Sequence, residues 1–128
     1  MAITKEPSGV AGLDDVLGGG LPRGRTTLVS GGPGSGKTLF GMQFLAGGNA
    51  TGDRGLFLAF EEEADGLVSN LDSLGIGVSD LLEEGVVAID HIPIRPDELV
   101  ASGRFDLSGL FARIEGHIRK NDGKRVVL

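Results

Sequence analysis

The chain contains no cysteine, no tryptophan and no tyrosine, and only five prolines in 128 residues. Without cysteine, neither a disulfide framework nor a thiolate-based zinc or redox site is available. Six phenylalanines are the whole aromatic complement, and their embedding in apolar runs argues against base-stacking platforms. Basic residues are the minority: twelve Lys and Arg oppose eighteen Asp and Glu, for a formal charge of −6. A nucleic-acid backbone is bound by a Lys/Arg surface, and no basic run occurs, so nucleic acid is an unfavoured partner. No apolar run approaches the ~18–20 residues of a membrane span, and the opening MAITKEPSG lacks the apolar centre of a signal peptide. No membrane partner is therefore expected, and a cytoplasmic location is the plain expectation.

What the chain does have is the ordinary mix of a soluble globular protein, 40% apolar and 23% charged. Its length suits one domain or part of one. Glycine is the excess, with 23 residues, roughly two and a half times the ~7% average share. Fifteen lie between Gly9 and Gly55 without a fixed period, which excludes collagen-like and repeat architectures. Glycine clustered in this way signals tight turns and backbone that approaches something closely.

Short apolar runs at residues 26–30, 56–60, 86–90 and 125–128 predict four strands. The second and third are continuous (LFLAF, VVAI) rather than alternating, as in strands covered on both faces. Helical patterns lie between them. One runs over residues 37–46 and stops at the pair Gly47-Gly48, a C-cap signal. A second carries Leu67, Val68, Leu71 and Leu74 on one face before Gly75. Ser79 is placed to cap a short turn through Leu82 that ends near Gly85. A last helix shows a stripe of Leu107, Leu110, Phe111, Ile114 and Ile118. Residues 91–105, with Pro93 and Pro96, read as a long irregular connection. Strands alternating with helices predict an α/β fold, a mainly parallel sheet flanked by helices. The chain closes on KRVVL, in what reads as mid-strand, so residues 1–128 are expected to be the N-terminal part of a single larger domain.

Residues 31–38 read GGPGSGKT and satisfy the phosphate-loop pattern G-x-x-x-x-G-K-[ST], between a predicted strand and a predicted helix. Gly34 and Gly36 allow the torsions that turn successive N–H groups inward as an anion nest, and the following helix adds its dipole. Lys37 would reach the β- and γ-phosphates, and Thr38 would offer its hydroxyl to Mg²⁺. The nucleotide-contacting candidates are Gly31, Gly32, Pro33, Gly34, Ser35, Gly36, Lys37 and Thr38, with Thr38 also the metal ligand. The run 56–60 leads straight into Glu61-Glu62-Glu63. Hydrolysis of a nucleotide needs a group that orients and polarises water, and a carboxylate at the carboxyl end of a parallel strand faces the ligand crevice. An acidic triplet ahead of a helix is equally explained as a solvated complement to the helix dipole.

These residues carry a resemblance. GLDDVLGGGLPRGRTTLVSGGPGSGKTLFGMQFL, then LFLAFEE, and later GRFDLSGLFARIEGHIRKNDGKRVVL, resemble the KaiC-like branch of the RecA-type ATPases. The similarity extends from Gly9 to Leu128. It implies a RecA-like P-loop NTPase core truncated at the Walker B strand, ATP and Mg²⁺ as ligands, and assembly of the parent domain into hexameric rings with ATP between subunits. It implies that Glu61 and Glu62 are the paired catalytic glutamates and that Ser73 contacts nucleotide. It also implies that the Walker B aspartate falls just after Leu128, and that a strand expected between the phosphate-loop and Walker B strands lies beyond it as well.

The resulting expectation is a Mg-ATP hydrolase of the KaiC type, whose nucleotide state controls ring assembly or signals to a regulatory protein, with autokinase activity as a further property of some relatives. The fragment by itself is expected to be impaired. The alternatives are a recombinase-like, DNA-dependent ATPase on the same core and a non-enzymatic module gated by nucleotide. Other polar residues carry plainer expectations. Asp14 and Asp15 read as a cap rather than metal ligands. His91 and His117 lack metal-ligand spacing, and Arg95 and Arg104 are candidates for a subunit interface.

Overall fold

The computed structural model describes residues 3–60, 63–92 and 107–128. Its centre is a parallel sheet of three strands, β3 (Arg54–Ala59), β4 (Val87–His91) and β5 (Gly123–Val127), in the order β4-β3-β5. On one side Gly55 pairs with Val87 and Ala59 with His91; on the other, Leu56 pairs with Val126 and Phe57 with Val127. β3 is central and therefore covered on both faces. Leu56, Phe57, Leu58 and Ala59 are all buried, which is why this run shows no polar alternation. A small antiparallel pair, β1 (Lys5–Glu6) with β2 (Leu21–Pro22), stands apart from the sheet and was not legible as strand in the sequence. Helix α1 (Leu13–Val16) lies between these two short strands.

Helix α2 (Lys37–Gly47) returns across the sheet, with Met42 and Leu45 fully buried against it. Two glycines set how closely it lies. A Cβ on Gly41 would come within 2.8 Å of Val127 Cγ1, and one on Gly55 within 2.7 Å of Leu45 Cδ2. The helix ends at Gly47 with Gly48 as its C-cap residue, as the sequence suggests. Both glycines keep right-handed torsions, and a 3₁₀ turn, Gly48–Thr51, follows before Gly52 (φ 77°) reverses the chain. Gly47 and Gly48 are there for space: a Cβ would meet Gly9 Cα at 2.8 Å or the Asp53 carbonyl oxygen at 2.7 Å.

Helix α3 (Ala64–Ser73) buries Leu67 and Leu71 on the expected face, while Leu74 lies past the helix and is 63% exposed. Helix α4 (Val78–Glu83) has Gly77 rather than Ser79 as its N-cap residue. Its cap comes from outside: Asp72 of α3 accepts the Ser79 amide at 3.2 Å and also the Ser79 hydroxyl. Helix α5 (Leu107–Asn121) runs into β5, with Leu110, Ile114 and Ile118 half-buried and Phe111 60% exposed. No helix among the described residues is long and apolar enough to cross a membrane.

The predicted strand at residues 26–30 is absent as a paired strand. These residues join no ladder, and Leu28 and Val29 are 89% and 44% exposed. An extended apolar run becomes a strand only beside a neighbour that offers N–H and C=O groups. Among the described strands none borders this run, and β5 pairs on one side only, with β3.

Candidate functional site

Loop 31–36 leads directly into α2, and residues 31–38 are all exposed. Gly34 and Gly36 have φ of 76° and 92°, the left-handed region that costs other residues energy. The Ser35 amide donates to the Gly32 carbonyl at 3.2 Å, closing a turn. A Cβ on Gly31 would lie 2.5 Å from Ser35 Oγ, so a side chain there would make the exposed serine hydroxyl turn away. Gly36 is the N-cap of α2 and no side chain caps the helix; the Phe40 amide makes the first turn's bond to the Gly36 carbonyl at 2.9 Å. The amides ahead of it have no partner within the helix, and the helix dipole points their way. Among the described residues Lys37 forms no ion pair. The head of α2 thus offers backbone N–H groups without helical partners, with one exposed cation beside them.

Topology fixes the direction the head of α2 faces. The C-terminal end of α2 meets the start of β3, where the Asp53 amide donates to the Gly48 carbonyl at 2.8 Å. Leu45 lies against Gly55 and Gly41 against Phe57, so α2 runs opposite to β3. The N-terminus of α2 therefore lies toward the carboxyl ends of the parallel strands, the side where α/β sheets bind ligands. Thr38, in the first helical turn, is exposed on that side. Glu61 and Glu62 lie outside the described residues. Glu63, the third of the acidic run, is exposed and extended (φ −69°, ψ 150°) as the N-cap residue of α3, in keeping with the solvated helix-dipole reading for that member. Ser73 is exposed, and its hydroxyl donates to the Asn70 carbonyl at 2.6 Å, one turn back in α3; that bond does not reach the loop.

Two polar clusters were not foreseen. Asp90 at the end of β4 receives both arms of Arg113, Nη2 on Oδ1 and Nε on Oδ2, each at 2.7 Å, and His117 Nε2 lies 2.9 Å from Oδ2. This joins α5 to the sheet and gives His117 a structural partner. His91 is half-buried as the last residue of β4, and Arg95 and Arg104 fall outside the described residues. The second cluster surrounds Arg125, whose side chain is only 2% exposed. An arginine opening an apolar strand is the signal that could have marked it, because a buried guanidinium demands partners.

Asp14 is not the cap expected of it: Gly12 is the N-cap of α1, with no side-chain cap bond, and Asp14 in the first turn ties back to Ser8 instead. Its carboxylate accepts the Ser8 amide at 2.9 Å, and the Ser8 hydroxyl followed by that amide holds its pKa below the usual 3.8. A depressed carboxylate contributes stability that is complete above 3.8 and lost as the pH falls through its folded value. Asp14→Asn is accordingly expected to lower the melting temperature at neutral pH, with the gap to the unaltered chain closing as the pH falls below 3.8. A gap that stays constant through the acid range would remove this role. Asp72, held down by the Ser79 hydroxyl and then its amide, titrates in the same sense. Among the described residues no group of three His, Asp or Glu is placed to hold a metal ion.

Comparison with known proteins follows the same direction. The model of the KaiC ATPase family matches residues 6–128. The chain is 41% identical to the circadian clock protein KaiC2 of Synechocystis sp. over 129 aligned positions, covering all of this chain and 23% of that protein. It is 44% identical to the circadian clock oscillator protein KaiC of Parathermosynechococcus lividus, covering 97% of this chain and 23% of the relative. The corresponding protein of Prochlorococcus marinus subsp. pastoris is 42% identical over the whole chain and 25% of its own length. The chain thus spans about a quarter of the length of the curated relatives it matches.

Proposed function

This chain belongs to the KaiC family of ATPases, and from that premise we propose that it binds Mg-ATP at residues 31–38, hydrolyses it through Glu61 and Glu62, and uses its nucleotide state to govern assembly into a ring or signalling to a protein partner. The observation that carries this reading is the head of α2: an N-terminus with no side-chain cap, fed by left-handed glycines, beside a lysine with no described ion pair. A polyphosphate satisfies all three features at once, since it accepts from several N–H groups and pairs with a cation.

In this mechanism the loop amides and the first amides of α2 bind the β- and γ-phosphate oxygens, and Lys37 sets its ammonium against the same oxygens. The donor set suits magnesium, a hard cation that takes oxygen ligands: the Thr38 hydroxyl would hold it, and the ion would supply charge neutralisation at the phosphates when bound. A carboxylate from Glu61 or Glu62 orients the attacking water and accepts its proton as the γ-phosphoryl group leaves. Ser73 belongs to the nucleotide site in the same reading, and transfer of the γ-phosphoryl group to a hydroxyl of the protein itself would use the same cradle.

Solution mass measured by light scattering, with and without Mg-ATP, tests the proposal. A shift to a ring-sized species on adding nucleotide is expected. A mass unchanged by ATP would remove nucleotide-controlled assembly for this chain, and calorimetric titration with a non-hydrolysable Mg-ATP analogue would then show whether binding itself survives.

A further inference from the structure

Arg125 is the only buried charged residue among those described. It lies on β5, in register with Gly55 of β3, and its guanidinium gathers groups from distant parts of the chain. Nη1 donates to the Phe44 carbonyl at 2.8 Å and to the Pro7 carbonyl at 2.9 Å, while Nη2 pairs with Glu6 Oε2 at 3.3 Å. The guanidinium also lies 4.6 Å over the Phe44 ring. Nε has no partner, with Asp53 Oδ2 3.9 Å away.

The Phe44 carbonyl matters most. It stands in the last turn of α2, where carbonyls lose their helical donors, and the Gly48 amide bonds to Ala46 and Leu45 instead. The last turn of α2 holds no basic residue of its own. Arg125 therefore supplies from β5 both the hydrogen bond and the positive charge that a helix C-terminus favours. Gly48 makes room for it: a Cβ there would come within 3.0 Å of Arg125 Cδ. Gly47 and Gly9 let the N-terminal segment lie close on the end of α2, where a Cβ on Gly47 would come within 2.8 Å of Gly9 Cα and one on Gly9 within 2.4 Å of the Gln43 carbonyl oxygen.

We infer that Arg125 is a positioning residue for the phosphate site: by anchoring the C-terminal end of α2 to β5 and to the Glu6-Pro7 segment, it holds the phosphate-binding head of the same helix in place over the sheet. The inference rests on the ATP reading of residues 31–38. It adds to that reading a residue remote from the loop, which touches neither nucleotide nor the reacting atoms.

Arg125→Lys keeps the charge but loses the fork by which Nη1 holds the Phe44 and Pro7 carbonyls while Nη2 holds Glu6, and Arg125→Met loses both charge and fork. Two measurements on the chain follow. In the absence of nucleotide, amide hydrogen exchange is expected to quicken in α2 and around Glu6 in both variants, with β4 and α5 unchanged. With a non-hydrolysable Mg-ATP analogue, the dissociation constant is expected to rise about tenfold in the Met variant and less in the Lys variant, at a temperature where each is folded. Leu58→Ala supplies the control for a merely structural role. It opens a cavity on the sheet face opposite α2, since side chains alternate along β3, and should lower the melting temperature while leaving the dissociation constant alone.

An unchanged dissociation constant in the Arg125 variants, or an equal rise in Leu58→Ala, overturns the positioning role. Unchanged exchange in α2 overturns the anchor itself. Quickened α2 exchange in a chain that binds no nucleotide even when unaltered overturns the ATP reading, and the positioning role with it, while the anchor stands. If neither Arg125 variant folds, Gly48→Ala crowds the same guanidinium and is expected to give the same rise; no rise there sinks the proposal.

Discussion

Methionine in place of Lys37 is expected to weaken Mg-ATP binding by at least about 10²-fold, because two charge-assisted hydrogen bonds to phosphate, at ~1.5–3 kcal/mol each, vanish together. The substitution isolates the charge. Methionine retains an unbranched stem and a good helix propensity, and position 37 is exposed, so no packing is lost. Removing a cation from a helix N-terminus relieves an unfavourable interaction with the dipole. The melting temperature should therefore hold or rise slightly while binding collapses. Calorimetric titration beside a thermal melt checks both halves. Binding retained within a few-fold would mean that the cradle at the head of α2 works from backbone alone, or that residues 31–38 are not where the phosphates lie.

The second large effect is expected at the paired glutamates. Glu61→Gln combined with Glu62→Gln keeps size and hydrogen-bonding shape but removes both candidate bases. Turnover is expected to fall by roughly 10²-fold or more, the usual size for loss of a general base, with KM for ATP changed little, because neither carboxylate is needed to hold the phosphates. The two single variants then divide the roles: the one that reproduces most of the loss carries the base. Glu63→Gln serves as the internal control, since Glu63 is the exposed N-cap residue of α3. Unchanged turnover in the double variant would remove the catalytic assignment and favour the non-enzymatic, nucleotide-gated reading.

Much of this was legible beforehand for specific reasons. The phosphate loop shows in sequence because its chemistry is local: glycines at 34 and 36, a lysine and a hydroxyl at fixed offsets, and the start of a helix are all set by neighbours in the chain. β3 and α2 were readable for a related reason, since LFLAF and LFGMQFLA each carry one clear period or none. Misreadings occurred where a local signal had a distant cause. Gly47 and Gly48 do stop α2, but with right-handed torsions, and what requires glycine there is the closeness of Gly9 and Asp53. Ser79 looks like a cap, yet α4 is capped by Asp72 from the preceding helix. Residues 26–30 look like a strand, and nothing within their own five residues can say whether a neighbour will pair with them.

The sequence alone, then, determined the family, the α/β class, the phosphate-loop pattern and the candidate carboxylates, because each is written in contiguous residues whose spacing the chemistry demands. Only the tertiary structure decided that strands β4, β3 and β5 lie in that order, that α2 runs opposite to β3 with its head toward the strands' carboxyl ends, and that Asp90 ties down α5. It also decided that Arg125 closes the C-terminal end of α2 over a separation of 81 residues. The reason is physical: a buried guanidinium is tolerable only where several acceptors converge, and convergence is a property of packed elements that no stretch of sequence displays.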